Sequence, residues 1–139
     1  MEEKIKSLEM LQSIIGRLAQ NSFMIKGWGI SLLTAVIAIA MDKEKPALIL
    51  VGTFFYLFFW GMDAYYLYQE KIFRRIYEYH AKHNGGLGFN FFDITPNPEN
   101  MEKWGICITP YIRVFFSVTM QLLHIPLVTA AIIIYYIII

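Results

Sequence analysis

Hydrophobic and polar positions divide this chain into three apolar runs joined by charged stretches. The runs cover residues 27–41, 47–67 and 114–139. Crossing about 30 Å of hydrocarbon takes roughly 20 helical residues. The second and third runs reach that length unaided. The first reaches it once Phe23 to Lys26 are included, with Lys26 carrying its ammonium back to the interface. The pattern therefore predicts an all-α, polytopic membrane protein with three transmembrane helices in a single membrane domain over residues 1–139.

Two of these helices continue well beyond the lipid. No proline interrupts residues 4–41, and the next proline, Pro46, suits the first position of a second helix. That helix is expected to run over residues 46–83 and to stop at the glycine-containing "NGG" that follows. Each arm then holds about 38 residues, or about 57 Å at 1.5 Å per residue, with roughly 25 Å outside the bilayer. Outside the lipid, Leu8, Leu11, Ile15, Leu18, Ser22 and Ile25 form a seam at spacings of three and four. Tyr66, Phe73, Ile76, Tyr77 and His80 form a similar stripe on the second arm. A projecting helical hairpin follows, in preference to two helices lying on the bilayer.

Folding this hairpin about its turn pairs positions whose numbers add to about 87. Arg17 comes level with Glu70, and Lys26 comes within half a turn of Asp63. A charge left alone at the edge of hydrocarbon is costly, so both are expected as ion pairs. Asp63 then either fixes the register of the hairpin or acts as a titrating or ion-coordinating carboxylate. Gly27, Ser31 and Ala35 recur every four residues and make a small-residue ridge for close helix packing. Its partner is either the second span of the same chain or another copy.

The third run is expected as a helix over residues 109–139, kinked at Pro126. On it, Arg113, Ser117, Gln121 and His124 are spaced four, four and three and would share one face. That face either packs between helices or lines an oligomeric pore. Residues 84–105 read as an irregular loop, with Phe89, Phe91 and Phe92 packing on the arms or the interface and with turns at Pro96 and Pro98.

Composition agrees with this reading. The 139 residues are 57% hydrophobic with a mean hydropathy of +0.47, too apolar for an ordinary soluble domain. Lysine and arginine crowd the N-terminal segment and residues 70–113, whereas the 42–46 turn holds only Lys43 and Lys45 and nothing basic follows Ile139. The positive-inside rule places the N-terminus and the 70–113 segment in the cytoplasm. Trp28, Trp60, Tyr65, Tyr66 and Tyr68 would form the aromatic belt on that side. The charged, amphipathic start does not read as a cleavable signal peptide.

A net charge of +1 gives no reason to expect a nucleic-acid partner. The single Cys107 excludes an internal disulfide and a CxxC metal site. "GGLG" lacks the lysine and hydroxyl of a phosphate loop. His80 and His83 share a helix face near Glu78 but have no further ligand by spacing. No catalytic set is visible, so neither enzyme activity nor a cofactor or metal is expected.

The segments "NSFMIKGWGISLLTAVIAIA" (21–40) and "FFWGMDAYYLYQEKIFRRIY" (58–77) together resemble a group of small bacterial inner-membrane proteins, some associated with anti-phage defence loci. Members of that group begin with an amphipathic helix and carry NSF-x-IKGW and FWG-x-DAYYL-x-QE-x-x-FR segments. The resemblance covers roughly residues 1–80 and implies an inner-membrane effector that oligomerises or opens to damage the bilayer. Its partners would be the lipid bilayer, further copies of the chain, and a cytoplasmic protein or small-molecule trigger. The alternative from the arms alone is a membrane-anchored scaffold that docks a cytoplasmic partner.

Overall fold

A computed structural model describes residues 2–83, 85, 89–106 and 110–139. The expectations that fall on Cys107, on Asn84 and on the start of the third span at 109 lie outside these residues. The described chain is all helical: α1 (Glu2–Asp42), α2 (Ala47–Lys82), α3 (Pro98–Lys103), α4 (Tyr111–Phe115) and α5 (Val118–Ile138). Among the described residues, α1, α2 and α5 are long and apolar enough to cross a membrane. Only 22%, 33% and 11% of their apolar windows are buried inside the chain. Most of that surface needs lipid or another apolar partner, which suggests a multi-pass membrane protein.

The hairpin forms with the anticipated register. Ser7 meets His80, Ser22 meets Asp63, Gly29 faces Tyr56 and Phe59, and Val36 lies against Gly52. These residue numbers add to between 85 and 88. A tight turn sets that register. Lys45 N–H donates to the Ala40 carbonyl at 3.0 Å, while Glu44 adopts a left-handed φ of 51°. This is the six-to-one closure that usually employs glycine at the left-handed position. Pro46 itself has helical angles and caps α2.

Close approach of the two spans depends on Gly29 and Gly52. A Cβ at Gly52 would sit 2.6 Å from a Val36 methyl, and one at Gly29 would sit 3.2 Å from Phe59 Cβ. The Gly27–Ser31–Ala35 ridge is not part of this contact. All three residues are exposed, and a Cβ on Gly27 would meet nothing. Two residues along a helix turn the side chain by about 200°, so a ridge beginning at 27 points away from one beginning at 29.

Three apolar clusters stack along the hairpin. Leu33, Ala40, Ile49, Tyr56 and Ala131 join the turn end of α1 and α2 to α5. Trp60, Ala64 and Met120 form the middle cluster. Leu11, Ile72, Ile76, Met101 and Trp104 form the third, near the arm ends.

The segment expected as an irregular loop therefore has structure of its own. Asn97 caps α3 by accepting the Asn100 backbone N–H at 2.7 Å, with Pro98 at the start of the helix. Pro98 thus begins a helix rather than marking a turn. The Asn100 side chain then ties Asp93 and the Thr95 carbonyl, each at 3.0 Å. Phe91 is buried, whereas Phe92 is exposed beside α1. Residues 89–106 form a strap across the arms.

The third span is also not one helix. α4 ends at Phe115, Ser117 takes an extended ψ of 153°, and α5 begins at Val118. Trp60 Nε1–H donates to the Phe115 carbonyl at 3.3 Å, an acceptor that a continuous helix would have used itself. Pro126 lies within α5, whose helical run continues through it.

Candidate functional site

One face of α2 carries Tyr56, Trp60 and Asp63 at spacings of four and three, so all three point towards the interior of the bundle. α1 brings Ser22 and Lys26, one turn apart. α5 brings His124. The other five side chains, from three helices, gather about the Asp63 carboxylate, which is completely buried.

The hydrogen bonds around Asp63 form a closed set. Lys26 Nζ donates to Asp63 Oδ1 at 2.7 Å and touches Ser22 Oγ at 2.8 Å. The Ser22 hydroxyl also donates to Oδ1. His124 Nε2 lies 2.8 Å from Oδ2, and the Tyr56 hydroxyl lies 2.7 Å from His124 Nδ1. An ionised Asp63 only accepts, so Nε2 carries the hydrogen and Nδ1 accepts from Tyr56. The His124 ring stacks on Trp60 at 5.1 Å between centroids, and Trp60 stacks on Phe115 at 4.9 Å. Lysine and carboxylate cancel in charge, and every polar atom named here has a partner.

The arrangement is an ion pair extended by a serine and by a histidine–tyrosine chain. Chemically it holds three helices in one register, because each supplies a group the others require. It has one opening. A cavity of about 330 Å³ lined by Ser22, Phe23, Lys26, Glu70, Thr119 and Met120 reaches the lysine side of the cluster. The far end of the chain, at Tyr56, abuts the apolar cluster around Leu33, Ile49 and Ala131. A group entering at Lys26 would meet a closed apolar wall beyond Tyr56.

The anticipated site residues separate in this structure. Lys26 and Asp63 are together. Arg17 and Glu70 are not paired: Arg17 is exposed, and Glu70 instead takes Arg74, one turn away on α2, at 2.7 Å. The i,i+4 partner is held by the same helix, whereas Arg17 would have to cross the seam. The four polar residues of the third run do not form one face, because the break separates Arg113 from the other three. Arg113 is exposed on α4, Ser117 sits at the break with a buried hydroxyl that has no partner among the described residues, Gln121 is half-buried, and His124 is buried against Asp63. The break at Ser117 resets the helical phase, so spacing across it no longer reports direction.

Ser22, Tyr56 and Trp60 were not anticipated at this site. Trp60, expected in an interfacial belt, is 7% exposed, whereas Trp28 and Tyr65 do face outward. The four–three spacing of Tyr56, Trp60 and Asp63 was the available signal, since it places an acid on one face with a tyrosine and a tryptophan. Comparison with known protein families, with characterised proteins and with solved structures gives no match.

Proposed function

We propose that the protein is an oligomeric effector of the bacterial inner membrane, with its N-terminus and arm ends in the cytoplasm. Copies associate through the Gly27–Ser31–Ala35 ridge, and the assembly perturbs the bilayer or forms a pore. The supporting observation is that this ridge is exposed on a span whose other face is filled by Gly29, Leu33 and Ala40 against α2. Small residues let helix backbones approach closely in lipid, where packing rather than the hydrophobic effect drives association. Arg113 and Gln121 remain as the polar groups available to such an assembly. In the defence setting implied by the resemblance, the arms receive the trigger.

Expression of the full chain in a bacterial host tests this reading, with a potential-sensitive dye and cysteine cross-linking at Ser31 read together. The expected result is depolarisation and a cross-linked dimer, both lost in Ala35→Leu. Depolarisation that persists in Ala35→Leu, with no cross-link at position 31, would overturn it.

A second reading is favoured by His124, which is consumed inside the chain and leaves no continuous polar face on the third span. The protein is then a membrane-anchored scaffold, and its arms dock a cytoplasmic partner. An unchanged membrane potential together with a partner that co-purifies only when residues 2–20 are intact selects this alternative.

A further inference from the structure

A second buried histidine lies far from the Asp63 cluster, where the strap crosses the arm ends. His80 on α2 is completely buried, and so is Ser7 on α1. The Ser7 hydroxyl donates to the backbone carbonyl of Phe91 in the strap. Its hydrogen is thereby used, so the contact of 3.2 Å with His80 Nδ1 has the ring as donor. The proton of neutral His80 is then on Nδ1, and Nε2 carries a bare lone pair. Nε2 is buried without a hydrogen-bond partner among the described residues.

Aromatic rings surround it. Trp104 stands edge-on at 5.3 Å, Phe89 lies at 5.4 Å and Phe91 at 6.1 Å, all from the strap, while Tyr79 is its neighbour on α2. Among the described residues, the Ser7 hydroxyl on the Phe91 carbonyl is the hydrogen bond that ties strap to arms, and the same carbonyl bears on the His80 ring. Everything else holding the strap is apolar contact, chiefly Met101 and Trp104 on Leu11, Ile72 and Ile76.

We propose that His80 is a proton-operated latch: protonation at Nε2 undocks the strap (residues 89–106) from the hairpin arms. A second ring proton creates a buried cation whose new N–H points into an aromatic box that offers it no hydrogen-bond acceptor among the described residues. Leaving such a donor unpaired is far more costly than leaving a lone pair unpaired. The least costly escape is to move the strap, since its rings form most of the box and water then reaches the imidazolium.

The surrounding charges do not remove this penalty. α1 contributes the uncharged Ser7. α2 contributes His83, which disfavours a proton on His80, while the strap contributes Asp93 and the Phe91 carbonyl, each of which favours one more weakly. Burial is the largest influence and holds the His80 pKa below the usual value. The docked state therefore binds the proton less readily than the undocked one. Docking is at full strength above about pH 6.5, the ordinary histidine value, and is lost as the pH falls below it. This inference does not depend on the effector reading and holds equally for a scaffold.

Hydrogen exchange of the full chain in lipid nanodiscs tests it, at pH 7.5, 6.0 and 5.0 and with rates normalised for intrinsic exchange. Protection in residues 89–106 is expected to fall on acidification, by at most about tenfold per pH unit for one proton, while the spans stay protected. His80→Asn keeps a donor towards Ser7 without a titrating ring and should flatten that response. Should His80→Asn fail to fold, the histidine ring resonances of the wild type provide the second measurement. They should report an apparent pKa for His80 below the ordinary histidine value. Strap protection unchanged from pH 7.5 to 5.0, an equal fall in a folded His80→Asn, or a His80 titration at or above the ordinary histidine value of about 6.5 each overturn the proposal.

Discussion

The two buried histidines invite direct comparison, because the same parts surround each. His124 and His80 both meet an α1 serine within their network, both lie against a tryptophan, and both help seat a third segment on the α1–α2 hairpin. They differ in what completes the set. At the Asp63 cluster a carboxylate and a tyrosine satisfy both ring nitrogens, and Lys26 balances the carboxylate. At the arm ends, among the described residues, no carboxylate or lysine hydrogen-bonds the ring, and one nitrogen is left bare. The first arrangement is a permanent clasp and the second is a joint that a proton can open. The difference lies in charge and hydrogen-bond completeness, since both sites are equally buried.

The largest test of this contrast is to remove the carboxylate. Asp63→Ala strands Lys26, Ser22 and His124 inside the bundle, and loss of one partner of a buried pair typically costs about 3–5 kcal/mol. Stability of the full chain in mild detergent, followed by SDS titration, should fall by that order. Adding Lys26→Met to Asp63→Leu should recover part of the loss, because an apolar replacement of both charges leaves no unpaired ion.

Next is the close approach that lets the clasp form. Gly52→Ala drives a methyl into Val36 and is expected to cost about 1–3 kcal/mol by overpacking. The control is Gly27→Ala, where the added methyl meets nothing. That variant should leave the single chain unharmed while loosening any association through the exposed ridge, read as a loss of cross-linking at Ser31.

At the latch, Ser7→Ala removes the tie to Phe91 and leaves His80 Nδ1–H without its acceptor. A buried hydrogen bond lost in this way costs about 1–3 kcal/mol. Exchange in residues 89–106 should speed up at neutral pH, with the clasp untouched. An equal rise in exchange around Tyr56 and His124 would show that the two sites are not separate units.

The smallest effect is at the turn. Glu44 holds a left-handed conformation that costs a residue with a side chain about 1–2 kcal/mol. Glu44→Gly should therefore raise the detergent unfolding midpoint modestly and change neither histidine site.

Much of the frame was legible in the sequence. The apolar runs and the absence of breakers gave the two long helices, and Pro46 together with the short turn gave the register that joins Lys26 to Asp63. The start of α3 was also there to be read, since Asn97–Pro98 is a helix cap followed by a suitable first residue. Two prolines so close together also suit turns, and that signal competes with the cap. Two other features left no readable trace. The break at Phe116–Ser117 has neither glycine nor proline and depends on the Trp60 indole competing for a helix carbonyl. The outward direction of the Gly27 ridge depends on which of two apolar faces of α1 packs better against α2.

The two long helices, their hairpin and its register are local consequences of periodicity and turn chemistry, so the sequence alone determined them. Which way α5 rotates, and hence whether His124 lines a surface or completes Asp63, was decided only when three helices packed together. An almost uniformly apolar helix such as "LLHIPLVTAAIIIYYIII" has no periodic bias to fix its own facing. A buried carboxylate on a neighbouring helix, with one oxygen still to be satisfied, supplies that bias from outside.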